Sequence, residues 1–128
     1  MSANNTKRPV YLNLLRIRLP VGGVVSILHR VTGVALVLLL PLLLYILQQS
    51  LANASAYAQV VAVLGAPVGC VIVFIVILLL AHHFFAGIRH LLLDLDIAIS
   101  SRAARRGAWL VLLSVAIVAA VAAASLLK

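Results

Sequence analysis

The sequence predicts an all-α integral membrane protein with three transmembrane helices. Of its 128 residues, 66% are hydrophobic and 9% are charged, and no Asp, Glu, Lys or Arg occurs between Val31 and Ile88. A soluble domain of this size needs a charged surface, which this composition does not provide. The apolar runs are rich in Leu and Val and longer than about 18 residues, which indicates helices rather than the alternating strands of a membrane barrel.

The first transmembrane helix is predicted over residues 21–49. Pro20 suits a helix start, because the missing proline N–H would have no partner there in any case. Pro41 lies inside the apolar part and predicts a kink. The preceding residues 1–20 mix apolar and basic side chains. We expect them to form a cytoplasmic or interfacial segment whose basic groups face lipid phosphates.

The second transmembrane helix is predicted over residues 60–97. It follows a short stretch at 50–59 that is polar and uncharged, which indicates a loop between antiparallel helices. Pro67 near the start of the second run either bends this helix or marks its true first turn. The run is longer than one bilayer crossing, so its end should emerge on the far side.

The third transmembrane helix is predicted over residues 103–127. Either Ser100 or Ser101 can cap its first turn. Its many alanines allow close helix packing, and Trp109 falls where an interfacial aromatic residue belongs. The three helices form one membrane-anchor domain covering residues 1–128, and no internal repeat is present.

Basic residues on one side of the membrane set the predicted orientation. They lie before the first helix and between the second and third, at Lys7, Arg8, Arg16, Arg18, Arg102, Arg105 and Arg106. The loop between the first two helices has no Lys or Arg, so the N-terminus is expected in the cytoplasm and the C-terminus in the periplasm. The first apolar run begins too late and is too long for a cleaved signal peptide, which favours a bacterial cell inner membrane protein.

The formal net charge of +8 does not indicate a nucleic-acid partner. The basic residues flank the apolar runs and do not form one face with aromatic residues between them, so membrane lipid is the expected partner. Cys70 is the single cysteine and has no internal disulfide partner. The sequence has no zinc-like Cys/His spacing, phosphate-binding glycine loop or nucleophile elbow.

A polar group near the end of the second helix points to buried chemistry, because ionisable residues at membrane depth are costly. Gly87, His90 and Asp94 follow His83 by four, seven and eleven residues and therefore form one helical stripe. A neutral imidazole at His83 is a good haem ligand, and Gly87 removes bulk beside it. His90 and Asp94 continue toward water, where a proton relay or a supporting hydrogen bond belongs.

A second polar group lies on the first helix at a similar predicted depth. Ser26, His29 and Arg30 are spaced so that they share one face. His29 and Arg30 are suited to neutralise haem propionates. Ser26 is suited to donate to a quinone carbonyl, with Arg30 stabilising the negative charge that develops on reduction.

Simpler interpretations of the same residues remain open from composition and spacing alone. A membrane histidine often makes only an interhelical hydrogen bond. We favour that interpretation for His82, and for His83 it stands beside haem ligation. Arg30 and Arg89 can extend to lipid headgroups instead of serving a site, and Asp94 can simply end a helix.

Three segments together resemble the cytochrome b anchor, or C subunit, of succinate dehydrogenase. They are residues 8–12, 26–33 and 83–94, and they carry the pattern S-x-x-H-R-x-[ST]-G followed in the next helix by H-x-x-x-G-x-R-H-x-x-x-D. The three-helix layout and the chain length also fit, so the resemblance covers nearly the whole chain.

The resemblance implies a role for each of the candidate site residues. It places the axial ligand of a b-type haem, and so the iron-binding position, on His83 and not on His82. It matches Ser26 and Arg30 to quinone-site positions, His29 and Arg30 to the neighbours of the haem propionates, and Asp94 to an acid near the quinone pocket.

The resemblance also implies the partners and the activity of the assembly. A second hydrophobic anchor subunit would share the haem b and supply its other ligand. A flavoprotein subunit and an iron–sulfur subunit would oxidise succinate and pass electrons to ubiquinone, as in complex II of the respiratory chain and the tricarboxylic acid cycle. The chain itself would carry no residue for succinate oxidation. Two alternatives stay open: a fumarate reductase anchor using a low-potential quinol, and a small structural or transport subunit without a cofactor.

Overall fold

The computed structural model of the chain describes residues 19–126, which form four α-helices in the order α1, α2, α3 and α4. Their bounds are Val21–Ala52, Ala54–Gly65, Pro67–Asp94 and Ser101–Leu126. The first, third and fourth are long and apolar enough to cross a membrane. The prediction of an all-α protein with three membrane spans is therefore confirmed, and the described part of the chain contains no strand.

The predicted loop at 50–59 is wrong. Helix α1 continues to Ala52, and α2 begins at Ala54 after a single extended residue, Asn53. The side chain of Asn53 accepts a hydrogen bond from the backbone N–H of Ala56 at 2.9 Å. Asparagine is a strong N-cap residue, so one residue is enough to end one helix and start the next in this alanine-rich stretch.

The predicted second helix at 60–97 begins later and ends earlier in the structure, where α3 spans Pro67–Asp94. Ala66 is extended, with φ −66° and ψ 154°, and Pro67 occupies the first turn. A residue before proline is disfavoured in helical geometry, whereas proline itself is well placed at a helix start. Of the two alternatives for Pro67, the structure therefore favours the true first turn.

Helix α4 begins at Ser101, close to the predicted start at residue 103. The Ser100 hydroxyl accepts a hydrogen bond from the N–H of Ala103 at 3.4 Å, and its carbonyl accepts from Ala104 at 2.8 Å. Ser100 is thus the capping serine. At the first helix, Pro20 precedes Val21 as predicted, and Pro41 lies inside α1 without ending it.

Helices α1, α3 and α4 pack against one another, and α2 packs on α1 and α3. The most buried apolar side chains are Val25, Ala86, Ala108 and Val111, which form one cluster. They lie at the end of the bundle where α1 and α4 begin and α3 ends. The predicted polar groups lie at this same end. Most of the larger apolar side chains elsewhere are exposed, including Leu38 at 75%. This is the surface expected of a chain that is solvated by lipid or by other membrane subunits.

Most of the interfacial segment predicted at 1–20 lies outside the described residues. The orientation of the termini also stays a prediction. Trp109 is 60% exposed in the third turn of α4, as an interfacial aromatic residue would be.

Candidate functional site

His83 of α3 is tied to α1 through one ring nitrogen. Its Nδ1 lies 3.2 Å from the carbonyl oxygen of His29 and 3.4 Å from the hydroxyl of Thr32. The Thr32 hydroxyl itself donates to the same His29 carbonyl at 3.0 Å. This backbone carbonyl, one turn before a buried threonine, is the point where α1 and α3 are joined.

The partner of Nδ1 decides the tautomer of His83. A carbonyl oxygen can only accept, so Nδ1 carries the proton and donates it. In the neutral ring, the other nitrogen, Nε2, then keeps its lone pair, which is the form in which imidazole binds a metal. The side chain is half-buried, so part of the ring stays accessible from outside the chain.

Three histidines from the two helices form one layer. The rings of His29 and His83 are stacked, with centroids 4.3 Å apart and planes 14° apart. The His90 ring is tilted against His29 at a centroid distance of 5.1 Å. We call His29, His83 and His90 the histidine layer. The prediction that polar residues of the first helix and of the α3 stripe converge at one depth is confirmed for these three.

Two glycines make room for the histidine layer. A Cβ on Gly33 would lie 2.9 Å from Cε1 of His83, closer than real Cβ contacts allow. A Cβ on Gly87 would lie 3.4 Å from Nε2 of His29, at the edge of ordinary contact. The position of the His83 ring therefore depends on the missing side chain at residue 33, where any larger residue would displace it.

An open groove of about 470 Å³ runs along the outer side of the histidine layer. We call it the histidine groove, and it is lined by His29, Arg30, Gly33, Val34, Val37, Leu38 and His83. Its walls are mostly apolar, and Arg30 is the one cation among its lining residues. The groove is thus a mostly apolar trough that contains two imidazoles and one guanidinium and is open on its outer side.

The remaining predicted site residues lie nearby in sequence but differ in exposure. Ser26 is half-buried one turn before His29 and Arg30. Arg30 is exposed where it lines the histidine groove. Asp94 is the last residue of α3 and is exposed, one turn beyond His90. The four-residue stripe of α3 is therefore joined to α1 through its first three members, whereas its acid lies at the helix end.

His82 occupies a different face of α3, as its spacing predicts. It is only 7% exposed, and its Nε2 is buried without a hydrogen-bond partner among residues 19–126. The interhelical hydrogen bond favoured for His82 is therefore not found for that nitrogen within the described chain. Its greater burial separates it from His83, which borders the open groove.

Arg89 is anchored to α4 by a contact that its spacing in the sequence does not predict. It is half-buried and donates from a terminal nitrogen to the carbonyl oxygen of Ala104 in α4 at 3.2 Å. Gly22 of α1 and Gly107 of α4 lie close to it, and a Cβ there would come within 3.1 and 3.7 Å of its guanidinium. The side chain therefore joins α3 to the starts of both neighbouring helices.

Sequence reasoning assigned no role to Thr32 or Gly33. Both follow His29 within one turn, and Thr32 is a polar residue in a strongly apolar helix. Such a residue signals a hydrogen bond inside the membrane. The role of Gly33 depends on which α3 side chain faces it, and spacing within one helix does not give that pairing.

The sequence matches the family described as the succinate dehydrogenase/fumarate reductase transmembrane subunit over residues 4–123. Among curated proteins, it is similar to a succinate dehydrogenase cytochrome b556 subunit of Coxiella burnetii, with 39% identity over 71% of this chain and 74% of that protein. It is also similar to a succinate dehydrogenase cytochrome b560 subunit of Reclinomonas americana, with 32% identity over 74% of this chain and 69% of that protein. The family match spans nearly the whole chain, and the three membrane-crossing helices agree with it. The protein is therefore a multi-pass membrane protein that belongs to the succinate dehydrogenase/fumarate reductase transmembrane subunit family.

Proposed function

We propose that this chain is the haem b- and quinone-binding anchor of a succinate dehydrogenase, with ubiquinone as the bound substrate. The observation that carries the proposal is the geometry of His83. Its Nδ1 is engaged by the His29 carbonyl at 3.2 Å, which leaves Nε2 as a metal-binding nitrogen beside an open groove. The two curated relatives are named as cytochrome b subunits of succinate dehydrogenase, which supports the same assignment.

The residues around His83 fit a haem on physical grounds. The groove beside it is mostly apolar, as a porphyrin face requires. Gly33 has no side chain that would project into the groove against the His83 ring. Arg30 in the groove is a cation for an anionic propionate, and His29 lies next to it for the same role. When bound, haem b supplies one-electron redox chemistry. His83 would hold the iron, and Thr32 and the His29 carbonyl would keep its ring in the ligating tautomer.

Half of the proposed haem site must come from outside the chain. Among residues 19–126, no group of three or more His, Cys, Asp or Glu is arranged around a common metal position. A haem iron needs only one ligand from each side. The open side of the histidine groove is where a second anchor subunit would bring the other ligand of the iron.

The same end of the bundle suits quinone binding. Ser26 and Arg30 are four residues apart on α1, so both project on one side. The hydroxyl can donate to a quinone oxygen, and the guanidinium stabilises negative charge on that oxygen during reduction. His90 contacts His29, and Asp94 is exposed one turn further out. In this proposal these two residues pass protons from the aqueous side.

The proposed assembly contains a second anchor subunit, an iron–sulfur subunit and a flavoprotein subunit in a bacterial inner membrane. In this proposal succinate is oxidised outside this chain, and the electrons reach the quinone on the cytoplasmic side, where we also expect the N-terminus. The family description also names fumarate reductase, which keeps a quinol-oxidising anchor as the second candidate. The names of the two relatives favour succinate dehydrogenase.

The substitution Arg30→Leu tests the quinone part of the proposal in the co-expressed complex. Loss of the guanidinium should lower succinate–ubiquinone reductase activity by about 100-fold, the effect of removing one donor from a developing oxyanion. Succinate oxidation by a soluble artificial acceptor should stay unchanged, because that route bypasses the anchor. Arg106→Leu, at an exposed position on α4 outside the groove, is the matched control and should keep both activities. Equal loss in both assays for Arg30→Leu would assign this residue to assembly and contradict its quinone role.

A further inference from the structure

Three arginines surround a second groove at the end of the bundle where α1 and α4 begin. The groove has a volume of about 480 Å³. We call it the arginine groove, and it is lined by Pro20, Val21, Gly22, Arg89, Ser101, Arg102, Ala104 and Arg105. It is separate from the histidine groove, because the two have no lining residue in common.

The arginine groove carries positive charge without a lining acid. The chain has only two acidic residues, Asp94 and Asp96, and neither lines it. Arg102 and Arg105 are exposed on the first turns of α4, one turn apart, and Ser101 adds a hydroxyl donor. Three guanidiniums facing one space repel each other unless an anion lies between them. Phosphate is the anion that the forked guanidinium group matches best.

Arg89 is already fixed in the wall of the arginine groove. One terminal nitrogen donates to Ala104 at 3.2 Å, and Gly22 leaves the space that the guanidinium fills. Its Nε is buried and has no hydrogen-bond partner among residues 19–126. A guanidinium has five N–H donors, so donors of Arg89 remain for a ligand. Since packing has already restricted the side chain, less conformational entropy is lost when a ligand binds.

The depth of the groove and its surroundings point to a lipid and not to a soluble anion. Its walls are the first residues of two membrane-spanning helices and the last turns of a third, the level at which lipid phosphates lie. Arg89 and Ala104 also border an apolar groove of about 200 Å³ between α3 and α4. A phosphate beside Arg89 is therefore next to a surface that accepts a hydrocarbon chain, where a soluble phosphate or an acidic peptide would gain nothing.

We propose that the arginine groove binds the phosphate of an anionic phospholipid through Arg89, Arg102 and Arg105. The inference uses only the membrane placement of the helices and the charges of the groove. It does not depend on haem or quinone binding, so its test is independent of the proposed function. The lipid would fill the gap between the starts of α1 and α4.

The test compares two adjacent arginines of α4 in the purified, co-expressed complex. Arg105 lines the groove, whereas Arg106 does not, and both are exposed. Retention of phosphatidylglycerol is measured by native mass spectrometry and by titration with a fluorescent phosphatidylglycerol. Arg105→Gln should weaken phosphatidylglycerol binding about fivefold, the effect of one arginine at a lipid surface. Arg106→Gln should bind as the unchanged protein does.

Four results would overturn the proposal. Equal effects of Arg105→Gln and Arg106→Gln would show that phosphatidylglycerol binding depends on general surface charge and not on the groove. Equal binding of phosphatidylcholine would remove the requirement for an anionic lipid. Displacement of phosphatidylglycerol by millimolar inorganic phosphate would make the groove a site for the free ion. Absence of phosphatidylglycerol from the complex, despite an intact groove, would mean that another subunit covers the arginines.

Discussion

The two faces of α3 differ in how tightly they pack against the neighbouring helices. The face toward α4 contains a tightly packed cluster of small residues: Ala86 and Ala108 are fully buried, and Val111 is 4% exposed. The face toward α1 carries His83 and His90, both half-buried, and borders an open groove of about 470 Å³. One helix therefore has a packed seam on one side, formed by Ala86, Ala108 and Val111, and an open groove on the other.

The difference shows how a small membrane subunit separates scaffold from chemistry. In lipid, helices gain little from hydrophobicity and associate mainly through close packing. The alanine-rich seam between α3 and α4 supplies that packing, and Arg89 reinforces its end with the bond to Ala104. The face toward α1 uses larger polar side chains, and His83 on this face lines an open groove.

The largest effect is expected from disturbing the packed seam. Ala108→Leu adds three carbons at a position with no exposed surface and should destabilise the folded chain by about 1–3 kcal/mol. The thermal midpoint and yield of the detergent-solubilised complex measure this. Ala120→Leu on the same helix is the control, because residue 120 is exposed and should tolerate the larger side chain. Equal stability of the two variants would show that the seam is looser than described.

A smaller and more specific effect is expected from the open face. Gly33→Ala would place a Cβ 2.9 Å from Cε1 of His83, so the ring must move by a few tenths of an ångström. The complex should assemble and keep its haem, with a shifted b-type absorption band or midpoint potential, since the ligand is retained in altered geometry. Gly65→Ala is the control, because a Cβ there meets nothing within 4 Å. An unchanged spectrum in Gly33→Ala would show that Gly33 does not influence the haem, which would contradict this prediction.

The sequence predicts the spanning helices well because long uncharged runs have few alternatives in a membrane. Helical periodicity and antiparallel order also place His29 and the His83 stripe at one depth. The boundaries were predicted less well. The break at Asn53 depends on one capping hydrogen bond, and the short helix α2 lies in a stretch whose polarity indicated a loop.

Other features depend on how the helices are rotated against each other. Spacing separates His82 from His83 but does not decide which face is packed and which is open. The Nδ1 contact of His83 requires the His29 carbonyl, which Thr32 also uses. The bond from Arg89 to a backbone carbonyl of α4 gives no sequence signal at all, since any residue at position 104 offers the same oxygen.

The central claim is that His83 and not its neighbour His82 ligates a haem b, and one measurement tests it directly. The reduced-minus-oxidised absorption spectrum is recorded for the co-expressed complex carrying His83→Leu or His82→Leu. The account predicts that His83→Leu abolishes the b-type band, whereas His82→Leu, at the packed interior position, retains it. A full b-type band in His83→Leu, or its loss only in His82→Leu, would contradict the assignment.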